Sequence, residues 1–278
     1  MSASHRSGTR RILGALCAAV CLIIAIGSAA AHAAFPNSIA ATGDSITRAF
    51  NTCAFPFTDC PANSWATGTE AAVNSFYLRI LERNASIRGN LFNDARSGAQ
   101  MSALSGQFTN VITQRAEFVT VEMGANDVCT SSEATMTSVA SFRTSFEGAM
   151  TTLRERLPST RIAVGSIPNV YQLWSLLNGN RSAVSTWNSL SICQSMLRNP
   201  TSRTAEDEER RLRVQRREVE FNEVLRSVCA EHANCQYDGG AGYAYRFEAG
   251  EVSTRDYFHP SVRGQATIAA IEFPLFRF

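Results

Sequence analysis

Three short polar motifs contain residue types that together can carry out acyl transfer. A Gly-Asp-Ser motif ends at Ser45, a Gly-x-Asn-Asp motif surrounds Asn126, and an Asp-x-x-His motif runs from Asp256 to His259. A serine hydroxyl is a poor nucleophile at neutral pH unless a neighbouring base takes its proton. An imidazole can be that base and a carboxylate can orient it, while an asparagine amide can donate to an oxyanion.

Each motif also has an explanation that involves no chemistry. Gly, Asp, Asn and Ser are common turn residues, Asp256 could cap a helix, and His259 could be a surface histidine. Taken together, the motifs predict one site with Ser45 as nucleophile, His259 as base and Asp256 as its orienting acid. Asn126 and the backbone N–H of Ser45 would be oxyanion donors. The Gly-x-Ser-x-Gly elbow is absent, because the position of its second glycine is Thr47.

The segments before the first two motifs have the pattern of buried strands. Residues 39–42 and 118–123 are β-rich, largely apolar runs, and each is followed by a glycine. Such a run indicates a strand that ends in a tight turn. We expect a helix to begin at the turn after the first strand, so that the Ser45 N–H points out of its first turn with a positive partial charge.

The remaining pattern predicts alternating strands and helices. Apolar periodicity predicts helices near residues 73–80, 104–112, 142–157, 204–232 and 260–271, with short strands at 91–93, 161–167 and 236–238. This alternation predicts a single α/β domain whose parallel sheet is covered by helices on both faces. Ligand sites in such sheets lie at the carboxyl ends of the strands, where Ser45 and Asn126 are expected.

Residues 169–202 interrupt this alternation and are expected to extend over the strand ends. They include Trp174 and Leu177, which could form an apolar wall for a substrate chain or could equally be ordinary packing. In the long helix that follows, acidic residues stand four positions before Arg210 and Arg211. Such pairs predict a solvent-exposed, salt-bridged face rather than a nucleic-acid patch.

Residues 1–33 have the composition of a secretory signal peptide. Three arginines precede an apolar stretch at 12–26, and Ala31-His32-Ala33 is a small-x-small cleavage site. The apolar stretch is shorter than the roughly 20 residues that a membrane-spanning helix needs. We therefore expect a secreted, extracellular protein with no stable membrane insertion, whose mature part is one domain at 34–278.

The mature chain has almost no net charge. All 26 basic residues are arginine, and without the three in residues 1–33 there remain 23 against 24 acidic residues, a net charge of −1. This balance provides no electrostatic reason to expect nucleic acid or an anionic membrane as a partner. Small-molecule or lipid esters are the expected partners, and we expect a monomer.

Six cysteines remain after the predicted cleavage, and an even number in an exported chain favours disulfides. They are Cys53, Cys60, Cys129, Cys193, Cys229 and Cys235. The spacings suggest Cys53–Cys60, Cys129–Cys193 and Cys229–Cys235, which is one of 15 possible pairings. A metal site is not expected, because no Cys-x-x-Cys occurs and the mature chain has two histidines, His232 and His259.

The three motifs, in this order, resemble those of the SGNH hydrolases, also called GDSL esterases and lipases. In that family Gly-Asp-Ser holds the nucleophile, which corresponds to Ser45. Gly-x-Asn-Asp supplies an oxyanion donor, which corresponds to Asn126, and Asp-x-x-His supplies Asp256 and His259. A further family block contributes a glycine N–H to the oxyanion hole, and Ala95-Arg96-Ser97-Gly98-Ala99 matches it through Gly98, although Gly106 is near.

The resemblance implies a fold and a chemistry for the whole mature chain. It implies a three-layer α/β/α, flavodoxin-like fold with a central parallel sheet of about five strands, and an acyl-enzyme on Ser45 without a metal or cofactor. Within the family the chain looks most like the secreted actinobacterial lipases and the phospholipase B-like branch. Asn63-Ser64-Trp65, the position of Cys129 and Asp-Tyr-Phe-His-Pro-Ser carry that similarity.

The sequence therefore predicts a secreted serine carboxylic-ester hydrolase of the lipase or phospholipase type. Two alternatives remain. One is a carbohydrate O-acetyl esterase on the same fold, for which a pocket restricted to acetyl would be evidence. The other is a non-catalytic binding protein on an SGNH scaffold, which would not need all four of Ser45, Asn126, Asp256 and His259.

Overall fold

Strands β1 to β5 form a parallel sheet in the order β2-β1-β3-β4-β5. The strands are β1 (Ile39–Gly43), β2 (Leu91–Asn93), β3 (Phe118–Glu122), β4 (Arg161–Val164) and β5 (Cys235–Tyr237). This computed structural model describes residues 1–3 and 35–278, and residues 35–278 lie in one compact unit. The predicted signal peptide therefore lies almost entirely outside the described residues, and its cleavage stays a prediction.

Helices connect the strands and provide both outer layers. They are α1 (Phe76–Leu81), α2 (Leu104–Gln114), α3 (Ala125–Val128), α4 (Val139–Arg156), α5 (Val170–Leu177), α6 (Arg181–Ser189), α7 (Gln194–Leu197), α8 (Ala205–Ala230), α9 (Ala241–Ala244) and α10 (Val262–Glu272). Side chains cap the longest of them, since Ser138 accepts from the Ser141 N–H before α4 and Thr204 accepts from the Asp207 N–H before α8.

The strands alternate their side chains between two apolar cores, because successive residues of a strand point to opposite faces. Ala40 and Val119 pack into a core with the buried faces of α2, α4 and α8. Ile39 and Phe118 pack on the other side with α1 and α10. The three-layer α/β/α fold and the parallel sheet of five strands predicted from the sequence are thus confirmed.

The buried face of α8 is partly charged, which corrects the prediction of a solvated face at Arg210 and Arg211. Both side chains are buried, at 3% and 0% exposure. Arg210 donates to the carbonyl oxygens of Met196 and Arg198 and pairs with Asp207 at 2.9 Å. The acidic partners stand three positions before each arginine, so the pairs face inward and hold the segment before α8.

Arg211 also explains the position of Trp174, one of the two residues considered as a substrate wall. Its guanidinium lies 4.2 Å from the centre of the Trp174 ring, a cation–π contact. Trp174 and Leu177 are 2% and 3% exposed and belong to the core. Ordinary packing is therefore the correct explanation for these two residues.

The six cysteines form three disulfides within the described chain. They join Cys53 to Cys60, Cys129 to Cys193, and Cys229 to Cys235. This is the pairing that the spacings suggested. The long bridge connects the end of α3 to the start of α7, and so attaches the segment between β4 and α8 to the end of β3. Residues 1–3 and 35–278 contain no helix long and apolar enough to cross a membrane.

Candidate active site

Four loops bring the predicted site residues together at the carboxyl ends of the strands. Ser45 follows β1, Gly98 follows β2, Asn126 lies in α3 directly after β3, and His259 precedes α10. All four line a single pocket of about 300 Å³, called here the wide pocket. Gly106 instead lies within α2 and is not among the residues that line this pocket.

Ser45, His259 and Asp256 form a continuous chain of hydrogen bonds. His259 Nε2 lies 2.8 Å from Ser45 Oγ, and His259 Nδ1 lies 2.7 Å from Asp256 Oδ2. The other carboxylate oxygen, Asp256 Oδ1, accepts the backbone N–H groups of Phe258 and His259 at 2.9 and 3.0 Å. The imidazole is thus held between a hydroxyl and a fixed, 3% exposed aspartate.

The charge state of Asp256 follows from two opposing effects. Burial raises the pKa of its carboxyl, whereas the His259 side chain and the N–H groups of His259 and Phe258 favour the ionised form. The donors outweigh burial, so the Asp256 pKa lies below its usual range. Asp256 is therefore a carboxylate at neutral pH and can stabilise a positive charge on the imidazole.

Two glycines allow the backbone to approach closely at the ends of β1 and β3. Gly43 has φ +145°, and a Cβ there would lie 2.2 Å from the carbonyl oxygen of Glu122. Gly124 has φ +131°, and a Cβ there would lie 2.4 Å from the side chain of Ile167. A larger residue at Gly43 would push β1 away from β3, the strands that precede Ser45 and Asn126, whereas a larger residue at Gly124 would displace the Ile167 side chain.

The turn after β1 differs from the helix that the sequence led us to expect. The Arg48 N–H donates to the Asp44 carbonyl at 3.0 Å, as in a helical turn, but regular helix does not continue. Ala49 and Asn51 have φ of +50° and +67°, which right-handed helix excludes. The helix predicted after Ser45 is therefore wrong beyond this single turn, and no helix-dipole effect is assigned to this serine.

The turn that carries Ser45 is held by the helix that follows His259. Gln265 of α10 donates from Nε2 to the Ile46 carbonyl at 2.8 Å and accepts the Trp65 N–H at 2.9 Å. Gln265 is completely buried, so these contacts are shielded from water. The position of Ser45 thus depends on the docking of α10.

Asn126 lines the same pocket as Ser45, and its side-chain amide contacts Asp44. Asn126 Nδ2 lies 3.0 Å from the Ala99 carbonyl oxygen and 3.3 Å from Asp44 Oδ2. Burial raises the pKa of Asp44 to about 6, although the Ile46 N–H donates to its carboxylate. The Asp44 carboxyl lies within the site and contacts Asn126. The position of Asp44 in the Gly-Asp-Ser motif did not indicate this contact.

Asn51 is a site residue that sequence reasoning missed. Its Nδ2 donates to Asp256 Oδ2, and its side chain is 3% exposed. Asn51 belongs to none of the three motifs and lies 205 residues from Asp256. Its sequence context, two residues before Cys53, contains no signal that would connect it with a distant aspartate.

A second, less open pocket also contacts Ser45 and His259. It has a volume of about 60 Å³ and is called here the apolar pocket. Its walls include Val170, Leu173 and Phe247, so residues from the start of α5 contact this space although Trp174 and Leu177 do not. The site therefore has a small apolar pocket and a wider, more open one, and Ser45 lines both.

The comparisons with known proteins agree with this geometry. A family model of GDSL-like lipases and acylhydrolases matches residues 39–271. A search of curated protein sequences gives no significant match. Within residues 1–3 and 35–278, no group of three or more His, Cys, Asp or Glu side chains is arranged to hold a metal ion.

Several solved structures share the fold at low sequence identity. LAE5, an alpha/beta hydrolase enzyme from the metagenome of Lake Arreo, Spain, aligns over 86% of this chain and 94% of its own with 15% identity and a TM-score of 0.54. An extracellular lipase from Streptomyces rimosus aligns over 84% and 97% with 15% identity and a TM-score of 0.50. The acetyl xylan esterase AlAXEase aligns over 84% and 96% with 14% identity and a TM-score of 0.50.

The chain belongs to the family of GDSL-like lipases and acylhydrolases, because the family model spans most of it. The resemblance inferred from the motifs is therefore confirmed, as is the prediction of an esterase or lipase-type hydrolase. At these identities the solved structures establish the fold and leave the substrate open.

Proposed function

We propose that this GDSL-family hydrolase is a secreted serine carboxylic-ester hydrolase that forms an acyl-enzyme on Ser45. The observation that carries the proposal is the hydrogen-bonded chain from Ser45 Oγ through His259 to Asp256, with distances of 2.8 and 2.7 Å. The signal-peptide pattern of residues 1–33 and the three disulfides support secretion.

The reaction begins with attack of Ser45 Oγ on the ester carbonyl carbon. His259 Nε2 takes the serine proton, and the ionised Asp256 stabilises the resulting imidazolium. The tetrahedral intermediate collapses when the same Nε2 returns the proton to the leaving alcohol. Water, activated by His259, then attacks the acyl-enzyme and releases the acid by the reverse sequence.

The oxyanion donors are the backbone N–H groups of Ser45 and Gly98 and the side-chain amide of Asn126. Placement of Ser45, Gly98 and Asn126 around the wide pocket supports this assignment. The Asn126 amide is already oriented by Ala99 and Asp44, and the longer of its two contacts, 3.3 Å to Asp44, is the one that an oxyanion would replace. Donors fixed in advance lower the barrier because they do not reorganise during the reaction.

The apolar pocket supports an ester with an apolar chain, as in lipase and phospholipase substrates. Its volume of about 60 Å³ is smaller than that of the wide pocket. A short acyl chain would therefore fill the apolar pocket, and a longer chain would extend beyond it.

The limited size of the same pocket keeps a carbohydrate O-acetyl esterase as the second candidate. In that case the acetyl group would fill the apolar pocket and the sugar would occupy the wide pocket. A non-catalytic binding role is less well supported, because a binding scaffold needs neither the contact of His259 with Ser45 nor that of Asp256 with His259.

The test is hydrolysis of p-nitrophenyl esters from acetate to palmitate by the mature protein and by Ser45→Ala. We expect Ser45→Ala to lower kcat by more than about a thousandfold on every chain, with unchanged circular dichroism. Highest kcat/KM on chains longer than acetate would support the lipase type, and activity confined to acetate would favour the O-acetyl esterase. A folded Ser45→Ala variant with most of its activity would refute the mechanism.

A fluorophosphonate label provides the control for a narrow substrate range. This reagent reacts with an activated serine and needs no knowledge of the natural ester. Labelling of the wild type and not of Ser45→Ala would establish an activated nucleophile even if every p-nitrophenyl ester is a poor substrate. Absence of both labelling and hydrolysis would favour the binding role.

A further inference from the structure

The carboxylate of Asp256 has a second side-chain partner besides His259. Asn51 Nδ2 donates to Asp256 Oδ2, the same oxygen that contacts His259 Nδ1. Asn51 is 3% exposed and Asp256 is also 3% exposed, so water does not compete for this contact. The hydrogen bond crosses from the turn after Ser45 to the loop that carries the base.

A second hydrogen bond determines which end of the Asn51 amide faces Asp256. The Phe57 N–H donates to Asn51 Oδ1 at 2.5 Å, which only the oxygen can accept. The nitrogen must therefore face the carboxylate. The Asn51 N–H also donates to the Thr58 carbonyl at 2.9 Å. Both contacts are made by the loop that the Cys53–Cys60 disulfide closes.

Four donors hold the Asp256 carboxylate, two on each oxygen. Two backbone N–H groups bind Oδ1, and the side chains of His259 and Asn51 bind Oδ2. Without Asn51, Oδ2 would be held by the imidazole alone, and the imidazole is the group that must be oriented. Asp256 Oδ2 would then have no second partner to fix its position, and it could not fix the orientation of His259.

We propose that Asn51 is a positioning residue of the catalytic machinery, which holds Asp256 Oδ2 in line with His259 Nδ1 and is itself held by the disulfide-closed loop of residues 53–60. This inference rests on the proposed function, since it assigns Asn51 a role in the chemistry of Ser45 and His259. It adds to the three sequence motifs a residue that touches neither substrate nor nucleophile.

Carboxyl groups near His259 bear on how the activity of an Asn51 variant depends on pH. Asp256 faces it from its own loop, Asp44 interacts with it from the turn after β1, and Glu251 lines the apolar pocket together with it. Asn51 is neutral, so replacing it by aspartate places a second carboxyl group against Asp256, and two buried carboxyl groups in contact share one proton at neutral pH.

The experiment compares two substitutions of Asn51 that separate its two contacts. Asn51→Asp keeps an oxygen for the Phe57 N–H, and it can donate to Asp256 only through the shared proton, which is lost as the pH rises. Asn51→Gly removes both contacts, and glycine accepts the positive φ at this position without strain. A matched control is Asn63→Asp, because Asn63 Nδ2 donates to Thr52 in the same region and does not contact Asp256.

We expect both Asn51 variants to lose roughly 10- to 100-fold in kcat on a p-nitrophenyl ester, the range for one hydrogen bond to a charged group. KM should change by less than about twofold, since Asn51 is not among the residues that line either pocket. In Asn51→Asp the loss of kcat should also deepen as the pH rises, because ionisation of the second carboxyl group removes the remaining donor to Asp256. Asn63→Asp should keep wild-type kcat and profile.

The outcomes distinguish this inference from the proposed function. Wild-type kcat and pH profile in both Asn51 variants would overturn the positioning role, as would an equal loss of kcat in Asn63→Asp. Either result leaves the proposed function intact as long as Ser45→Ala is inactive. Full activity of Ser45→Ala in the same series would instead overturn the proposed function and, with it, the inference.

Discussion

The Cys129–Cys193 disulfide should contribute more to stability than either of the other two. It joins residues 64 apart in sequence, whereas the two local disulfides join residues 7 and 6 apart. A cross-link restricts the unfolded chain, and its effect increases with the logarithm of the loop length. At 25 °C this relation gives about 4 kcal/mol for the long loop and about 2 kcal/mol for each short one.

The native contacts around the long bridge should survive its removal. The Ser195 N–H donates to the Thr130 carbonyl at 2.9 Å, and Ser195 Oγ donates to the Val128 carbonyl at 2.6 Å. These bonds hold the start of α7 against the end of α3 without help from sulfur. The alanine pair at Cys129 and Cys193 should therefore lower stability while leaving kcat at 25 °C within about twofold of wild type.

Equilibrium urea unfolding, followed by tryptophan fluorescence, measures this difference. The matched control is the alanine pair at Cys229 and Cys235, which also removes a buried sulfur but opens a short loop. The long-loop variant should lose about 2 kcal/mol more, with a larger m value because its unfolded state is less restricted. Equal losses in the two variants would refute the argument from loop length.

Two further substitutions test the electrostatics and the substrate pocket. Burial raises the pKa of Asp127 to about 6, whereas the unfolded chain loses this proton near pH 4. The stability of the wild type should therefore fall as the pH rises from about 4 to about 6. Asp127→Asn keeps an oxygen for the Met101 N–H and cannot ionise. Its unfolding free energy should exceed that of the wild type by on the order of 3 kcal/mol at pH 7 and by little at pH 4. Equal gains at both pH values would contradict this. Leu173→Trp should fill the apolar pocket and lower kcat/KM for the hexanoate relative to the acetate ester, whereas Leu176→Trp, at an exposed position outside that pocket, should leave the ratio unchanged.

The parts of the site that were predictable depend on short-range sequence. Gly43 and Gly124 end apolar strands, and the residues that follow them are placed at the sheet edge by the strand itself. His259 and Asp256 are three residues apart, so one loop fixes their relative position. The three-layer fold was predictable for the same reason, because alternating apolar patterns determine which face of each strand and helix is buried.

The parts that were not predictable depend on contacts between distant segments. Asn51 gains its role from an aspartate 205 residues away, and nothing in its neighbourhood encodes that partner. Arg210 and Arg211 have the sequence pattern of an exposed face but are buried, because the segment before α8 presents carbonyl oxygens to them. A helix was expected after Ser45 from the strand-then-turn pattern, yet the positive φ at Ala49 ends it after one turn.

The contact of Gln265 with the turn that carries Ser45 also has a consequence for the timing of biosynthesis. Ile46 and Gln265 are 219 residues apart, and Ser45 and His259 are 214 apart. A chain made from its N-terminus exposes the nucleophile long before the base and the helix that holds its turn have been synthesised. Contacts of such long range also form late in folding. On the mechanism proposed for Ser45, the serine would stay inert on nascent and unfolded chains, and hydrolysis would require that α10 has docked.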